Sequence, residues 1–549
     1  MSKLVVIGID GATPDLMFPW MDQGMLPNFQ RIREGGVWGR LNSVPNQRSA
    51  AAWSSFATGT NPGKHGIFEF YERILGTYQI RFTRSSLRDG ISFWKYLSEK
   101  GKTVIVVNVP MTYPAEEIKG CMISGLDAPG KDSRGFTYPD HLLKEIEEEI
   151  GPYVHEPGVN SLVINGKGKE AFAKIIESVQ QRGKAIRYLM KKYGWDTTVA
   201  VFRETDPAQH CFWKDMKDNE SELDGVILRV YQEIDREVGK ILNSVERDCR
   251  VLILSDHGFG FRQHGSGCLN EWLCEAGLLK FKNQQGKSIL SPILRRSYQL
   301  LEKILSRRIK EKLFGLVPDL ISKVHSKVFF SEIEWEKTTA YSDNCMPVIW
   351  INSTDSSPAG TVPREKYWEV VSNLKRMLVE KCLEGTTGRK IVDWVKHREE
   401  VYTGPHVGRA PDLLVKWKES ERIDGLRLGE GGRPLTPRYP TMEFRVISGD
   451  HRPMGIFMAA GEGIKKHCEI DGLNIMDITA TAIYLNELPI PDLLDGKVPR
   501  LLFTDEFLNI HPIESGQFEE PLKDRLLSEY SQEEEASIRE KLRGLGYLD

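Results

Sequence analysis

The sequence predicts an α/β fold built on a mostly parallel sheet with helices on both faces. Short, mostly apolar runs recur along the chain, amphipathic helical patterns separate them, and glycines stand where helix C-caps belong. The apolar runs are residues 4–9, 103–108, 198–203, 251–254 and 347–351. None shows the polar alternation of a strand with one wet face, so each reads as a strand buried on both sides. Helical patterns cover residues 14–34, 92–100, 169–193, 218–245 and 366–383, with Gly35 and Gly36, Gly101 and Gly194 at their ends.

The chain has 549 residues, room for one large domain with insertions or two to three smaller ones. Lys+Arg is 74 and Asp+Glu 77, a net charge of −3, which gives no reason to expect nucleic acid or an anionic membrane as partner. The first apolar run is too short for a signal-peptide core, and no run of 18 or more apolar residues occurs, so no transmembrane segment is expected. Eight cysteines lie scattered without CxxC spacing, the pattern of a reduced, cytoplasmic protein.

Texture changes near residue 278. Up to residue 334, leucines and isoleucines at helical spacing are mixed with Arg295, Arg296, Lys303, Arg307, Arg308, Lys310 and Lys312. This reads as a helical cap with a solvated basic face. A lid for an anionic substrate, or a membrane-surface contact through 295–312, are the alternatives. The expected organisation is a core that begins with residues 1–277, is interrupted by a helical insertion at 278–334 and resumes over 335–514. A peripheral tail, 515–549, follows, acidic and then helical.

Five places put an ionisable or nucleophilic group just after a strand or at a helix start, where α/β sheets gather ligands. Asp10 ends the first run and Gly11 lets the backbone turn; alone, it is equally a turn or capping aspartate. Ser49 precedes a strong helix former, Ala50-Ala51-Ala52, and is expected at the N-cap. There it either caps or, at the positive end of the helix dipole, serves as a nucleophile beside a bound phosphate. Asp206 and His210 follow the run 198–203 four residues apart, so one helical turn lets both face one ion. Asp256 and His257 end the strand 251–254 abruptly, with Gly258 behind them, a pairing of metal-competent groups with little structural rationale. His451 stands in Ser448-Gly449-Asp450-His451-Arg452-Pro453, ahead of the apolar run 456–460.

Together these residues are more telling than any one of them. Three aspartates and three histidines suit zinc, manganese or iron better than calcium, and six ligands divide into two sites of three. Two ions about 4 Å apart form a clamp for in-line displacement at phosphorus.

Taken in order, Gly8-Ile9-Asp10-Gly11, then Ala57-Thr58-Gly59-Thr60-Asn61-Pro62-Gly63-Lys64-His65-Gly66-Ile67, Asp206 with His210, Ser255-Asp256-His257-Gly258 and Gly449-Asp450-His451 resemble the alkaline-phosphatase superfamily. Within it the chain is similar to the type I phosphodiesterase/nucleotide pyrophosphatase branch, and closer to its prokaryotic phosphohydrolase/phosphomutase-like group. The resemblance implies an alkaline-phosphatase-like sheet and two divalent ions, zinc first and manganese next. It implies that Asp206, His210 and His451 hold one ion and Asp10, Asp256 and His257 the other, with Ser49 bound to the latter. Ser49 is then the nucleophile that forms a phosphoseryl intermediate.

The chain also departs from that pattern. Phosphodiesterases of this branch carry Thr-Phe-Pro-Asn-His where this chain has Ser49-Ala50-Ala51-Ala52-Trp53, and an asparagine after His-Gly-Ile where it has Phe68-Glu69-Phe70. The phosphate-gripping residue is therefore unassigned, with Arg48 or a group from the insertion as candidates. The Cys/Ser-x-Pro-x-Arg signature of sulfatases is absent. Gly59 to His65 is similar to a P-loop but is one residue short, and His65 replaces the Ser/Thr that would hold Mg²⁺; His65 is expected to be a structural hydrogen-bonder. The expected function is a two-metal phosphohydrolase acting on a small phosphorylated substrate, a monoester or a diester. A metal-dependent phosphomutase using the same serine, or a non-catalytic binding protein on this fold, are the alternatives.

Overall fold

The first apolar run forms the strand Leu4–Ile9, buried along its whole length, at the centre of a ten-stranded sheet. The computed structural model describes all residues except 1, 218–221, 247, 283–331, 344, 438–446, 518–529 and 545–549. The basic stretch 295–312, and most of the expected insertion 278–334, lie outside the described residues.

The strand order is Cys468–Glu469, Gly36–Asn42, Met454–Ala460, Arg250–Leu254, Leu4–Ile9, Thr197–Phe202, Val104–Val109, Gly120–Ser124 and Thr137–Tyr138, with Leu473–Asn474 pairing Gly36–Asn42 off this path. The strands on either side of Leu4–Ile9 are parallel to it. Met454–Ala460 runs antiparallel to both of its neighbours. Register aligns the exits of the central strands: Ile9 stands opposite Phe202, and Gly8 opposite Leu254. Asp10, the turn into Asp206, and Asp256 therefore leave the sheet side by side, at its carboxyl end.

Both faces are covered. Helices Gly168–Lys192 and Val226–Leu242 pack on one side, where Ile7, Ile105, Ala200 and Ile253 face them. Helices Ser49–Thr58, Phe93–Glu99 and Ile475–Leu485 cover the other, over Val6, Val106, Val201 and Leu252. The close fit there requires Gly8: a Cβ at this residue would lie 2.4 Å from Cη2 of Trp53. The missing side chain lets the helix carrying Ser49 lie directly against the central strand.

Several expected elements shift. The pattern 14–34 is two helices, Pro14–Asp22 and Pro27–Glu34. Gly24, at φ +71°, breaks it, and Pro27 restarts it at a first-turn position where its missing N–H costs nothing. Gly36, read as a cap, opens a strand instead. The run 347–351 forms Val348–Ile351, but in a separate four-stranded antiparallel sheet with Ala340–Tyr341, Leu413–Trp417 and Val392–His397. That sheet has its own apolar core with the helix Tyr367–Lys381. An apolar run reports burial on both faces, not which sheet it joins.

Within the expected tail, the described part from Tyr530 to Gly544 packs on the rest of the chain. The helix Gln532–Gly544 buries Ile538 and Leu542, and Tyr530 stacks on Tyr113 with ring centroids 6.0 Å apart. The Lys541 ammonium donates to the carbonyls of Leu126 and Ala128 and to His155 Nε2. Among the described residues no helix is long and apolar enough to cross a membrane.

A candidate two-metal centre at the strand ends

Three strand exits and one antiparallel strand pair, distant in sequence, bring the three aspartates and three histidines together. Asp10 follows the central strand, its N–H donating to the carbonyl of Phe202. Thr205 Oγ donates to the Asp10 carbonyl, which pins the helix Thr205–Phe212 against the strand end. That helix carries Asp206 and His210 one turn apart. Asp256 and His257 follow the strand Arg250–Leu254. The strand Gly258–Phe261 then pairs antiparallel with Gly449–Arg452, setting Phe259 opposite His451.

The result is two triads. The ligand atoms of Asp206, His210 and His451 lie within 4.8 Å of one another, and so do those of Asp10, Asp256 and His257. Asp206 Oδ2 is 3.4 Å from His210 Nε2 and 3.2 Å from His451 Nε2. Asp256 Oδ2 is 3.1 Å and Asp10 Oδ1 3.7 Å from His257 Nε2. The triads abut, with the rings of His257 and His451 stacked at 3.7 Å. All six residues are at most 6% exposed.

The helix that carries the serine starts differently from expectation. Arg48, in extended backbone, is the N-cap, and Ser49 is the first helical residue. Ser49 Oγ lies 3.0 Å from His257 Nε2, at the edge of the second triad.

Hydrogen bonding around the triads is one-sided. Each histidine faces a backbone carbonyl through Nδ1: His210 that of Gly449 at 2.9 Å, His451 that of Gln47 at 2.9 Å, His257 that of Gly258 at 3.1 Å. A carbonyl only accepts, so each Nδ1 carries the proton, and each Nε2 in a neutral ring presents a lone pair. The Nε2 atoms of His210 and His451 are nevertheless only 3.1 Å apart. The carboxylates repeat the pattern. Asp10 accepts from Trp53 Nε1 at 3.2 Å and Asp256 from the Gly11 N–H at 3.1 Å. Asp10 Oδ1, Asp206 Oδ1 and Asp256 Oδ2, all buried, have no hydrogen-bond partner. Converging lone pairs and orphaned carboxylate oxygens fit a cation in each triad.

The electrostatics divide the triads. Burial, and then the charges of Asp256 and Asp206, push the Asp10 carboxyl well above its usual range. Burial also works against ionisation of Asp206, but His210 and His451 outweigh it and hold that carboxyl well below its usual range. Burial and the neighbouring His257 bring His451 down to about 4, so it is neutral near pH 7.

Some supporting residues carried no sequence signal. Trp53 lies four residues into a helix and shows nothing of its bond to Asp10. Gln209 donates to the Gly11 carbonyl at 2.9 Å. Glu69, 1% exposed, lies 2.6 Å from Arg48 Nε; burial raises its carboxyl against the pull of Arg48. His65 accepts from the Ile67 N–H at 3.1 Å through Nδ1 and lies 2.9 Å from Ser55 Oγ through Nε2, away from both triads. That is a structural bonding pattern.

A sequence profile described as type I phosphodiesterase/nucleotide pyrophosphatase matches residues 4–423. Among solved structures, phosphonoacetate hydrolase from Sinorhizobium meliloti 1021 in complex with phosphonoacetate is similar at 14% identity and a TM-score of 0.51, over 87% of this chain and 94% of that one. Murine ectonucleotide pyrophosphatase/phosphodiesterase 5 is similar at 14% identity and a TM-score of 0.46, over 91% of this chain and 100% of its own. At such identity the first of these likenesses speaks for the fold. No curated protein matches.

Proposed function

Since the chain belongs to the type I phosphodiesterase/nucleotide pyrophosphatase family and is a phosphoric ester hydrolase, we propose that Ser49 is its nucleophile and that two divalent cations complete its active centre. One cation is held by Asp206, His210 and His451, the other by Asp10, Asp256 and His257 with Ser49 beside it. The observation that carries this reading is the set of three buried carboxylate oxygens without a hydrogen-bond partner, one on each aspartate. Zinc suits the mixed carboxylate and imidazole sets first, manganese next.

Bound there, the ions supply Lewis-acid stabilisation of the negative charge on the oxygens that enter and leave phosphorus. The chain's own residues do the rest. Ser49 Oγ gives up its proton to solvent and attacks phosphorus, and the P–O bond to the leaving group breaks in line with it, giving a phosphoseryl group and a leaving oxygen that takes a proton from solvent. Ser49 begins a ten-residue helix, so the dipole of its first turn favours negative charge at that spot. Water then attacks the phosphoseryl group, breaks its bond to Oγ and restores the hydroxyl. The three Nδ1–carbonyl contacts fix the imidazole rings throughout.

The substrate is a small phosphomonoester or phosphodiester. None of the eight cysteines is joined in a disulfide, which supports a cytoplasmic location, testable by cell fractionation. The decisive variant is Ser49→Ala, assayed on a panel of mono-, di- and pyrophosphate esters with metal content measured alongside. Turnover is expected to fall by at least about 1,000-fold with metal content near that of the parent. Full activity of Ser49→Ala on every ester would sink the assignment.

A further inference from the structure

A phosphoryl group at Ser49 exposes more negative oxygens than the two triads face. The residue just before the nucleophile carries a cationic fork suited to the remainder. Arg48 caps the helix that Ser49 begins, is 8% exposed, and lines the same cleft as Gln47, Asp450 and His451. It is held from behind. Its Nε lies 2.6 Å from Glu69 Oε2, while Glu69 Oε1 accepts from the Phe70 N–H at 2.8 Å, so the carboxylate itself is fixed. Toward the second sheet, Arg48 Nη2 donates to the carbonyl of Cys345 at 3.4 Å. The loop presenting that carbonyl is tied down by Asp343, which accepts from the N–H groups of Cys345 and Met346 at 3.0 Å each and from Tyr71 Oη at 2.9 Å.

We propose that Arg48 grips the phosphoryl group of the substrate and that Glu69 is the positioning residue that aims it. This rests on the proposed function, with Ser49 as nucleophile. The physical reason is an exchange of partners. A neutral carbonyl at 3.4 Å is a poor acceptor for a guanidinium, whereas a phosphoryl oxygen forms a charge-assisted bond about twice as strong. The Nη groups trade the Cys345 carbonyl for phosphate while Glu69 keeps Nε in place. A site-directing acid beside an anion site is electrostatically adverse, so its worth has to lie in geometry.

The test is calorimetric titration of inorganic phosphate into the metal-loaded Ser49→Ala chain and into further variants on that background. Metal content and Tm are recorded for each. Arg48→Ala is expected to weaken phosphate binding about 30-fold and Arg48→Lys to restore only some of it, because a point charge lacks the fork. Glu69→Gln gives opposite signs for two explanations. If Glu69 only adds negative charge, its removal tightens phosphate binding; if it aims Arg48, removal weakens binding about five-fold. Phosphate binding by Arg48→Ala within about two-fold of the parent, with a lowered Tm, overturns the inference and makes Arg48 a strut between the two sheets. Tighter binding by Glu69→Gln overturns the role of Glu69. Should Arg48→Ala fail to fold, Arg48→Lys and Glu69→Gln carry the test. Absence of phosphate binding by a Ser49→Ala chain that holds both ions would sink the proposed function as well, whereas failure in the Arg48 variants alone leaves it standing.

Discussion

Asp127 and Asp256 are both aspartates at most 2% exposed, each near the end of a strand of the central sheet. The first is fully used by the protein. Its Oδ1 accepts from the Thr112 N–H at 3.1 Å and its Oδ2 from the Tyr113 N–H at 2.8 Å. Burial pushes its carboxyl up to about 6 against the pull of those two donors. Around it, Tyr530 Oη donates to its carbonyl, and Lys541 bridges the carbonyls on either side. Asp256 instead keeps one buried oxygen without a hydrogen-bond partner, in a triad where Asp10 does the same. Equal burial with opposite satisfaction separates a polar cluster that holds the fold together from one completed by something outside the polypeptide.

The comparison can be broken at either end. The largest effect is expected from Asp256→Asn. The amide keeps the acceptor for Gly11 but loses the charge. Activity should fall by about 1,000-fold or more and metal affinity by at least about 100-fold. The metal-free protein should unfold no lower than the metal-free parent, because a buried charge repelled by Asp10 has been removed. Chelation should lower the Tm of the parent and leave that of Asp256→Asn almost unchanged. A variant that loses several kcal/mol without metal and still binds its ions would make Asp256 structural and erase the distinction.

The reverse pattern is expected at the C-terminal helix. Lys541→Met, which strands two carbonyls and His155 Nε2, should destabilise by about 2 kcal/mol in denaturant titrations, with kcat within about two-fold of the parent. A smaller effect appears with pH. Burial brings the Lys541 ammonium down to about 8, from an ordinary value of 10.5. Between those values the unfolded chain binds the proton and the folded one does not, so this residue's contribution rises with pH over that window and is flat below it. The stability of the parent relative to Lys541→Met should therefore grow from about pH 8 to pH 10.5. A flat difference across that range would mean that Lys541 stays charged in the fold.

What sequence reading reached, and what it missed, follows from range. Leu4–Ile9, Arg250–Leu254 and the acids behind them are visible because burial on both faces writes an uninterrupted apolar run, and a polar pair at its end stands out. Gly36–Asn42 and Met454–Ala460 are sheet neighbours across more than 400 residues. Nothing local announces their pairing, so Gly36 reads as a helix cap and the stretch after His451 only as apolar. Ser49 needed the structure to move it one place past the cap. Glu69 reads as a charge between two phenylalanines, and only the turn that carries it to Arg48 gives it a task. Lys541 shows the same blindness, since a lysine in an acidic-to-basic helix looks solvated until its ammonium is found among carbonyls.

The antiparallel strand Met454–Ala460 sits between Arg250–Leu254 and Gly36–Asn42 and bonds to both. The sheet therefore closes only when this strand arrives. A nascent chain that has emerged only through the first of these partners has two open apolar strand edges and a gap between them. It also lacks His451, three residues upstream of the missing strand. Sealing the sheet and completing the metal-competent set thus happen together, late, when one short stretch is delivered. Until then the growing polypeptide carries both an aggregation hazard and an unfinished triad of Asp206, His210 and His451.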